Sequence, residues 1–373
     1  MEILFPKGHV LASNDVFERQ GFVRDVTLRL YSGDSVMLAS PRRMGKTSIA
    51  FEILRRLAND GCYVLDLDLF HVTSLEDFAV QLMARVVSLR FGPLQKFTHT
   101  LRELYRILER ADVGVKIQDL EIHTRLNPTT PDANEIIDAA LSTLETIAQK
   151  DQRRVIVLFD EFQEMERLGG TLLLKRMRSI MQQHMGTSYL FLGSEPSLLQ
   201  TLFADRRQAF YRFATMLHLP PIPEDEWDSY ITRKFAHVGM TISHDAISLL
   251  MENTGGHPFC VMVALGESYY GATIGQRTSI DIAGMFEGLS QTALTLEPIY
   301  EELWRQILAV RGGATVTRQV AFARPPYHGI NATTARRALK KLRDLSILQK
   351  KGRGEYLFVE PMFRQWIVRH IHD

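Results

Sequence analysis

One short segment of the chain combines the residue types that bind phosphate. The run Ser40-Pro41-Arg42-Arg43-Met44-Gly45-Lys46-Thr47 matches the phosphate-loop pattern G-x-x-x-x-G-K-[ST] at every position but the first, where serine replaces glycine. In such a loop, backbone N–H groups surround the phosphates, the lysine contacts them and the hydroxyl binds Mg²⁺. The pattern therefore predicts a nucleotide site with Thr47 as a metal ligand. Its binding residues are Pro41, Arg42, Arg43, Met44, Gly45, Lys46, Thr47 and Ser48.

Two carboxylates follow the most apolar strand-like run of the chain, residues 155–159. A phosphate loop requires a metal-supporting acid, and Asp160 is placed to hold Mg²⁺ through water. The next residue, Glu161, is the candidate general base that polarises an attacking water. The order of loop and acidic strand predicts hydrolysis of a nucleoside triphosphate, with Lys46 and Glu161 as catalytic residues.

A polar residue and an arginine complete the set of catalytic candidates. Ser194 ends the apolar run 190–192 and is a candidate γ-phosphate sensor, although a role in capping the next helix is an equal alternative. Arg206, Arg207 and Arg212 precede a further strand, and a guanidinium near the γ-phosphate stabilises transition-state charge. Arg212, directly before that strand, is the preferred candidate, from the same or a neighbouring subunit. A solvated surface is the alternative for each arginine.

The elements that must position these residues form an α/β pattern. Short apolar runs alternate with segments of helical spacing, which predicts a mostly parallel sheet covered by helices. The predicted strands are residues 36–39, 62–65, 155–159, 189–192 and 216–219. A proline-rich break at 220–223 ends this core. We predict an ATPase core at 1–221, a small all-α lid at 222–293 and a winged-helix domain at 294–373. Residues 75–131 are an elaboration of unassigned role.

The last predicted domain contains a strongly basic stretch. Between Ala332 and Gly354, eight basic residues stand against Asp344 alone, a local net charge of +7 in a chain whose net charge is +1. A basic third helix and a basic wing suit the groove and phosphates of duplex DNA. A protein-interaction module with solvated lysines is the alternative. The candidate DNA-binding residues are Arg336, Arg337, Lys340, Lys341, Lys350, Lys351 and Arg353.

Three strings together resemble a known family, the predicted ATPases first recognised widely in archaea, which belong to the AAA+/STAND branch of P-loop ATPases. These strings are residues 41–48, Asp160-Glu161-Phe162-Gln163 and Gly255-Gly256-His257-Pro258-Phe259. The resemblance implies ATP as the nucleotide, a helical lid and a C-terminal winged helix. It also implies that His257 and Pro258 lie near the adenine or the phosphates, and that Arg19 matches part of a turn near the adenine.

Composition and charge exclude several other classes. Cys62 and Cys260 are the only cysteines, so the chain cannot form a four-cysteine zinc site or a disulfide framework. The first residues include Glu2, Asp15 and Glu18 without a long apolar run, so we expect no signal peptide. Nor does any stretch approach the 18 or more apolar residues of a membrane span. The sequence predicts a cytoplasmic, multi-domain protein.

Two functions from different classes remain open. The leading hypothesis is an ATP-hydrolysing switch whose nucleotide state controls a winged helix that binds duplex DNA. The alternative is a nucleotide-gated scaffold in a defence or signalling complex that never touches DNA. A phosphotransferase is a weaker third, since Asp160 and Glu161 followed by Ser194 suit attack by water. Besides ATP or ADP, the expected partners are proteins, and a homo-oligomer is an open possibility.

Overall fold

The computed structural model describes residues 4–6, 19–91, 132–352 and 354–371. The chain folds into two compact units. The first, the sheet unit, comprises Gln20–Ser40 and Lys46–His218. The second, the helical unit, comprises Met1–Arg19, Pro41–Gly45 and Leu219–Asp373. The chain therefore passes from one unit to the other within the phosphate loop itself.

The sheet unit is built on five parallel strands in the order β2-β3-β4-β1-β5. This arrangement confirms the predicted parallel α/β core. Buried on both faces, β1, β3 and β4 read as continuous apolar runs rather than alternating ones. The strands are β1 (Val36–Ala39), β2 (Tyr63–Asp68), β3 (Val155–Asp160), β4 (Thr187–Gly193) and β5 (Thr215–His218).

Helices connect and cover these strands. An aromatic cluster that includes Phe159, Phe162 and Phe191 packs where β3 and β4 end. The described helices of the unit are α1 (Gln20–Ser32), α2 (Lys46–Asn59), α3 (Leu75–Phe91), α4 (Ala133–Asp151), α5 (Glu164–Met181) and α6 (Pro196–Ala204). Gly170 (φ 58°, ψ −161°) has a non-helical conformation and kinks helix α5 between its first turns and the rest of the helix.

The predicted elaboration at 75–131 is described only in part. Helix α3 packs with α4 in the same apolar core, through residues such as Phe78 and Leu141. The rest of the segment, 92–131, lies outside the described residues. Helix α3 supplies apolar core residues to the sheet unit, so it belongs to that unit.

The helical unit is formed almost wholly of helices. Its apolar core includes Trp227, Leu250, Tyr300 and Trp366. The helices are α7 (Glu224–His237), α8 (His244–Thr254), α9 (Pro258–Ile274), α10 (Ile282–Leu308), α11 (Gly313–Ala321), α12 (Ala332–Asp344) and α13 (Pro361–His370). Short β6 (Thr241–Ile242) and β7 (Ser279–Ile280) pair in parallel, and β8 (Leu348–Gly352) and β9 (Glu355–Phe358) form an antiparallel hairpin.

The boundary predicted between residues 293 and 294 falls inside helix α10, which runs through it without a break. Leu289, Leu296 and Tyr300 are buried along the same helix, so the apolar stripe continues across that position. The elements before and after it therefore share one core. Among the described residues, no helix is long and apolar enough to cross a membrane.

Candidate functional site

The phosphate loop joins β1 to α2 and is closed by the first residue of that helix. Lys46 is buried, and its Nζ donates a 2.7 Å hydrogen bond to the carbonyl oxygen of Ser40. Gly45 has a φ of 86°, a conformation that residues with a Cβ rarely adopt. Ser40 is not among the residues with positive φ, and it contributes its backbone carbonyl. Serine is therefore compatible with the first position of the loop.

The two residues expected to hold the metal meet at the end of β3. The Thr47 hydroxyl donates to Asp160 Oδ2 at 2.9 Å, although 113 positions separate the two residues. Burial raises the pKa of Asp160; the hydrogen bond from Thr47 opposes this, and the charges of Glu161 and Asp68 add to it. A carboxylate that is costly to ionise among other acids is suited to a cation, which would offset that cost.

The residues at this point fit Mg²⁺. Magnesium is usually held by a hydroxyl or one or two carboxylates together with substrate phosphates, not by a cage of protein ligands. In the described part of the chain, no group of three or more His, Cys, Asp or Glu side chains is arranged to bind a metal. Thr47 and Asp160 are the ligand types that Mg²⁺ needs from the protein, and Asp68 stands beside Asp160 in the sheet register.

Glu161 and Ser194 are brought together by the pairing of β3 with β4. Glu161 Oε2 accepts hydrogen bonds from the Ser194 backbone N–H at 3.0 Å and from its hydroxyl at 2.8 Å. The N-cap of α6 is Glu195 rather than Ser194, so a capping role does not explain the serine. Ser194 therefore fixes the carboxylate of the candidate base.

Arg212 is not brought to the same place. It is exposed, its guanidinium lies 5.2 Å from the ring centroid of Tyr211, and it precedes the start of β5 at Thr215. Because the strands are parallel, the amino end of β5 lies at the opposite edge of the sheet from Asp160. Arg206 and Arg207 stand in the same exposed turn. A role for Arg212 in phosphate chemistry would require a second copy of the chain.

The middle of the phosphate loop makes its own contacts within the helical unit. Arg43 has a φ of 63°, and its Nη1 lies 3.8 Å from Glu360 Oε1, at the N-cap of α13. The same guanidinium lies 4.3 Å from the ring centroid of Phe259, in the first turn of α9. Arg19 Nη1 donates to the Met44 carbonyl at 3.1 Å. The loop is thus tied to α9 and α13 by charge and stacking.

His257 occupies the N-cap of α9, directly before Pro258. It is only 4% exposed, and among the described residues neither ring nitrogen has a hydrogen-bond partner. Burial, and secondarily the charge of Arg43, lowers the pKa of His257 to about 4. The ring is therefore neutral near pH 7 and offers a donor and an acceptor to a ligand.

The basic residues of α12 lie opposite its buried face. Ala335, Ala338, Leu339 and Leu342 are buried, so the positions between them project outward. Arg353 lies outside the described residues. Six of the predicted DNA-binding residues are exposed and make no ion pair with any described residue: Arg336, Arg337, Lys340, Lys341, Lys350 and Lys351.

Three residues near these groups were not singled out from the sequence. Asp68 ends an apolar strand as Asp160 does, so the pattern could have indicated it. Gln163 stands in the Asp160–Gln163 string but has no obvious chemistry by type. Glu360 precedes Pro361 without any motif, and only folding places it beside Arg43.

Solved structures of other proteins share the fold of this chain. A Walker-type ATPase of Pyrococcus abyssi matches with a TM-score of 0.70 at 17% identity, covering 97% of this chain and 99% of that one. The ORC2 protein of Aeropyrum pernix, solved in ADPNP–ADP complexes, matches with a TM-score of 0.56 at 16% identity, covering 98% and 97%. Its ADP form matches with a TM-score of 0.51 at 17% identity, covering 93% and 90%.

The fold and the arrangement of loop and acidic strand are those of the P-loop ATPases. More particularly, the chain shares its fold with two archaeal proteins, the Walker-type ATPase of Pyrococcus abyssi and ORC2 of Aeropyrum pernix. No family model matches the sequence, and no curated protein matches it. At these identities the likeness defines the fold, so activity must be argued from the residues.

Proposed function

We propose that this chain binds ATP with Mg²⁺ and hydrolyses it. The observation that carries the proposal is the 2.9 Å hydrogen bond from Thr47 to Asp160, since it joins the phosphate loop to the acidic strand. A chance Gly-Lys-Thr sequence would have no reason to meet a half-buried aspartate at a strand end. The adenine nucleotides in the solved ORC2 structure support ATP as the nucleotide.

Each residue has a separate role in this proposal. Backbone N–H groups of the loop and Lys46 hold the phosphates, and Thr47 and Asp160 hold Mg²⁺, which neutralises phosphate charge when bound. Glu161 accepts a proton from the attacking water. Ser194 holds Glu161 through its backbone and its hydroxyl, which keeps the carboxylate from rotating. Among groups that the fold brings together, these suffice for attack by water.

Replacement of Lys46 tests the proposal directly. Lys46→Ala should abolish binding of a fluorescent ATP analogue, and the parent should release phosphate without any added acceptor. Lys175→Ala, at an exposed position of α5, is the matched control and should bind like the parent. Equal affinity in Lys46→Ala and parent would reject the site. Phosphate release that needs an acceptor would favour a phosphotransferase.

We further propose that the nucleotide state is transmitted to the C-terminal elements through the loop. Arg43 stands within the phosphate-binding segment and contacts Phe259 of α9 and Glu360 at α13. A change in loop conformation on binding phosphates must therefore disturb those contacts. This connection supports a switch, because the same residue is in the ligand loop and in the helical unit.

The target proposed for this switch is duplex DNA. Helices α11 and α12, the β8–β9 hairpin and α13 follow one another in the order of a winged helix. The exposed, unpaired basic residues of α12 and β8 would contact phosphates, as a third helix and wing do. A face that carries basic residues without acidic ones is suited to a negatively charged partner such as the phosphate backbone of DNA.

Salt dependence separates DNA binding from the scaffold alternative. If about half of the basic residues engage phosphates, log affinity should fall with log salt at a slope near −3 to −4, roughly −0.9 per contact. Arg336→Ala with Lys340→Ala should flatten that slope by up to about 2. Fluorescence anisotropy with a labelled random duplex measures both. No binding at low salt, with or without ATP, would favour a protein scaffold.

A further inference from the structure

Gln163 is a buried amide whose side chain turns towards the candidate base. It stands at the N-cap of α5, a position where side chains commonly accept a hydrogen bond from the helix. Here the side chain makes no capping hydrogen bond. Instead its Nε2 donates to Glu161 Oε2. The amide is thus used for Glu161 and not for the helix that it begins.

The orientation of this amide follows from its surroundings. A carboxylate oxygen accepts hydrogen bonds only, so the amide must present Nε2 and not Oε1 to Glu161. Gln163 Oε1 then lies against Gly193, where an added Cβ would be 2.4 Å away. The absence of a side chain at Gly193, the last residue of β4, therefore makes room for the amide that binds Glu161, and the next residue, Ser194, donates to Glu161 directly.

The backbone that leads from the candidate base to the amide is also well defined. Glu161 has a φ of 52°, in the left-handed region that non-glycine residues seldom occupy and that clusters at functional sites. Phe162 is buried among aromatic rings, and its N–H donates to the Leu192 carbonyl at 2.9 Å. These two features place the Gln163 side chain beside the Glu161 carboxylate.

Three donors converge on one oxygen of the base. Within the described residues, the hydrogen bonds to the Glu161 carboxylate come from the Ser194 N–H, the Ser194 hydroxyl and Gln163 Nε2, and all reach Oε2. Oε1 is left to accept from water. A base held on one oxygen presents the other in a single direction, and such orientation commonly contributes one to two orders of magnitude in rate.

We propose that Gln163 is a positioning residue that aims the Glu161 carboxylate at the attacking water. The inference rests on the proposed hydrolysis of ATP. It assigns the last residue of the Asp160–Gln163 string a role that acts through Glu161 alone. Gln163 touches neither the phosphates nor the metal ligands in this account, so its loss should affect the chemical step and leave nucleotide binding intact.

Gln163→Met removes the donor and keeps the length of the side chain. We expect kcat for ATP hydrolysis to fall roughly 10–100-fold, with KM and the affinity for a fluorescent ATP analogue within about twofold of the parent. Gln163→Glu, which also lacks the Nε2 donor but stays polar, should lower kcat as well and guards against misfolding of the first variant. Gln182→Met, at the exposed C-cap of the same helix, is the control and should match the parent.

A double-mutant cycle distinguishes positioning from a structural effect. In a Glu161→Gln background, Gln163→Met should lower the residual rate by less than about threefold, because the base is already lost. Amide exchange at Ser194 in the nucleotide-free protein should be faster in Gln163→Met. An unchanged or higher kcat, an equal fall in both backgrounds, or unaltered exchange would overturn the inference while the parent still hydrolyses ATP. A parent that binds ATP without hydrolysing it would overturn both proposals.

Discussion

Two glutamates, one in each unit, have pKa values shifted in opposite directions although burial acts on both in the same direction. Glu145 of α4 accepts hydrogen bonds from the N–H groups of Met185 and Gly186 and from the side chains of Thr187 and Gln149. These donors lower its pKa, although burial alone would raise it. Burial raises the pKa of Glu360, and Arg43 and Tyr300 oppose this only in part.

The hydrogen bonds to Glu145 outweigh the effect of burial on its pKa, whereas Arg43 and Tyr300 do not outweigh the effect of burial on the pKa of Glu360. In the sheet unit, the Glu161 carboxylate likewise accepts hydrogen bonds, from the Ser194 N–H, the Ser194 hydroxyl and Gln163 Nε2. In the helical unit, Arg43 lies 3.8 Å from Glu360, and the two ring nitrogens of His257 have no hydrogen-bond partner among the described residues.

The largest expected effect is on catalysis in the sheet unit. Glu161→Gln keeps the shape of the side chain and removes the proton acceptor, so it should retain ATP-analogue binding and slow hydrolysis by about 10²–10⁴-fold. Steady-state phosphate release measures the change. Equal turnover in parent and variant would show that a well-bonded glutamate at this position is only structural.

Glu145→Gln should destabilise the sheet unit by about 2–3 kcal/mol at pH 7, because the neutral amide weakens the hydrogen bonds from two backbone N–H groups and turns a donor towards groups that themselves donate. The folded pKa of Glu145 is lowered, so its contribution is present above about pH 4.5 and is lost as pH falls further. Urea unfolding followed by amide exchange in β4 measures it. An unchanged free energy of unfolding at pH 7 would show that the hydrogen bonds to Glu145 do not stabilise its charge, and Glu145 would then not differ from Glu360.

His257→Phe should remove part of the acid sensitivity of the helical unit. Because the folded pKa is lowered to about 4, the unfolded chain binds the proton first and stability falls between about pH 6.5 and 4. At pH 5 this loss is about 2 kcal/mol in the parent. All three tryptophans lie in the helical unit, so their fluorescence in urea reports its unfolding. If the stability of parent and variant depended on pH in the same way, the lowered pKa of His257 would not be a source of the acid sensitivity.

Glu360→Gln should have the smallest effect, within about 1 kcal/mol at pH 7, because removing a poorly solvated charge offsets the weakened contact with Arg43. The folded pKa of Glu360 is raised, so its contribution is present below about pH 4.5 and is lost as pH rises. The stability of the variant relative to the parent should therefore rise from pH 4 to pH 7, as measured by tryptophan fluorescence in urea. A loss as large as that of Glu145→Gln would make the two acids equivalent.

Much of the sheet unit was predictable because its signals are local. A buried strand reads as an apolar run, and a loop that needs positive φ at one position and an amine at the next reads as Gly45-Lys46. The parallel sheet was predicted from that alternation and is confirmed. Asp160 and Glu161 were predicted at a strand end, where the fold then brought Thr47 and Ser194 to them.

Domain boundaries within the helical unit are harder to predict, because helical spacing in a sequence does not show where one domain ends and the next begins. The break assigned at 293/294 follows a change of composition, yet the buried stripe of α10 continues past it. Gln163 looked like an ordinary polar residue, because its use depends on Gly193 from a different strand.

The sequence by itself determined the parallel core, the phosphate loop, the acidic strand and the basic face of α12. Each of these features depends on residues only a few positions apart, so that local backbone geometry and hydrophobic periodicity are enough to predict it. Only the tertiary structure decided the surroundings of Glu145 and Glu360, the contact of Arg43 with Phe259 and the aim of Gln163 at Glu161. Burial, donors and charge at those positions come from segments far apart in the chain, and their sum sets each pKa and each orientation only once the core has packed.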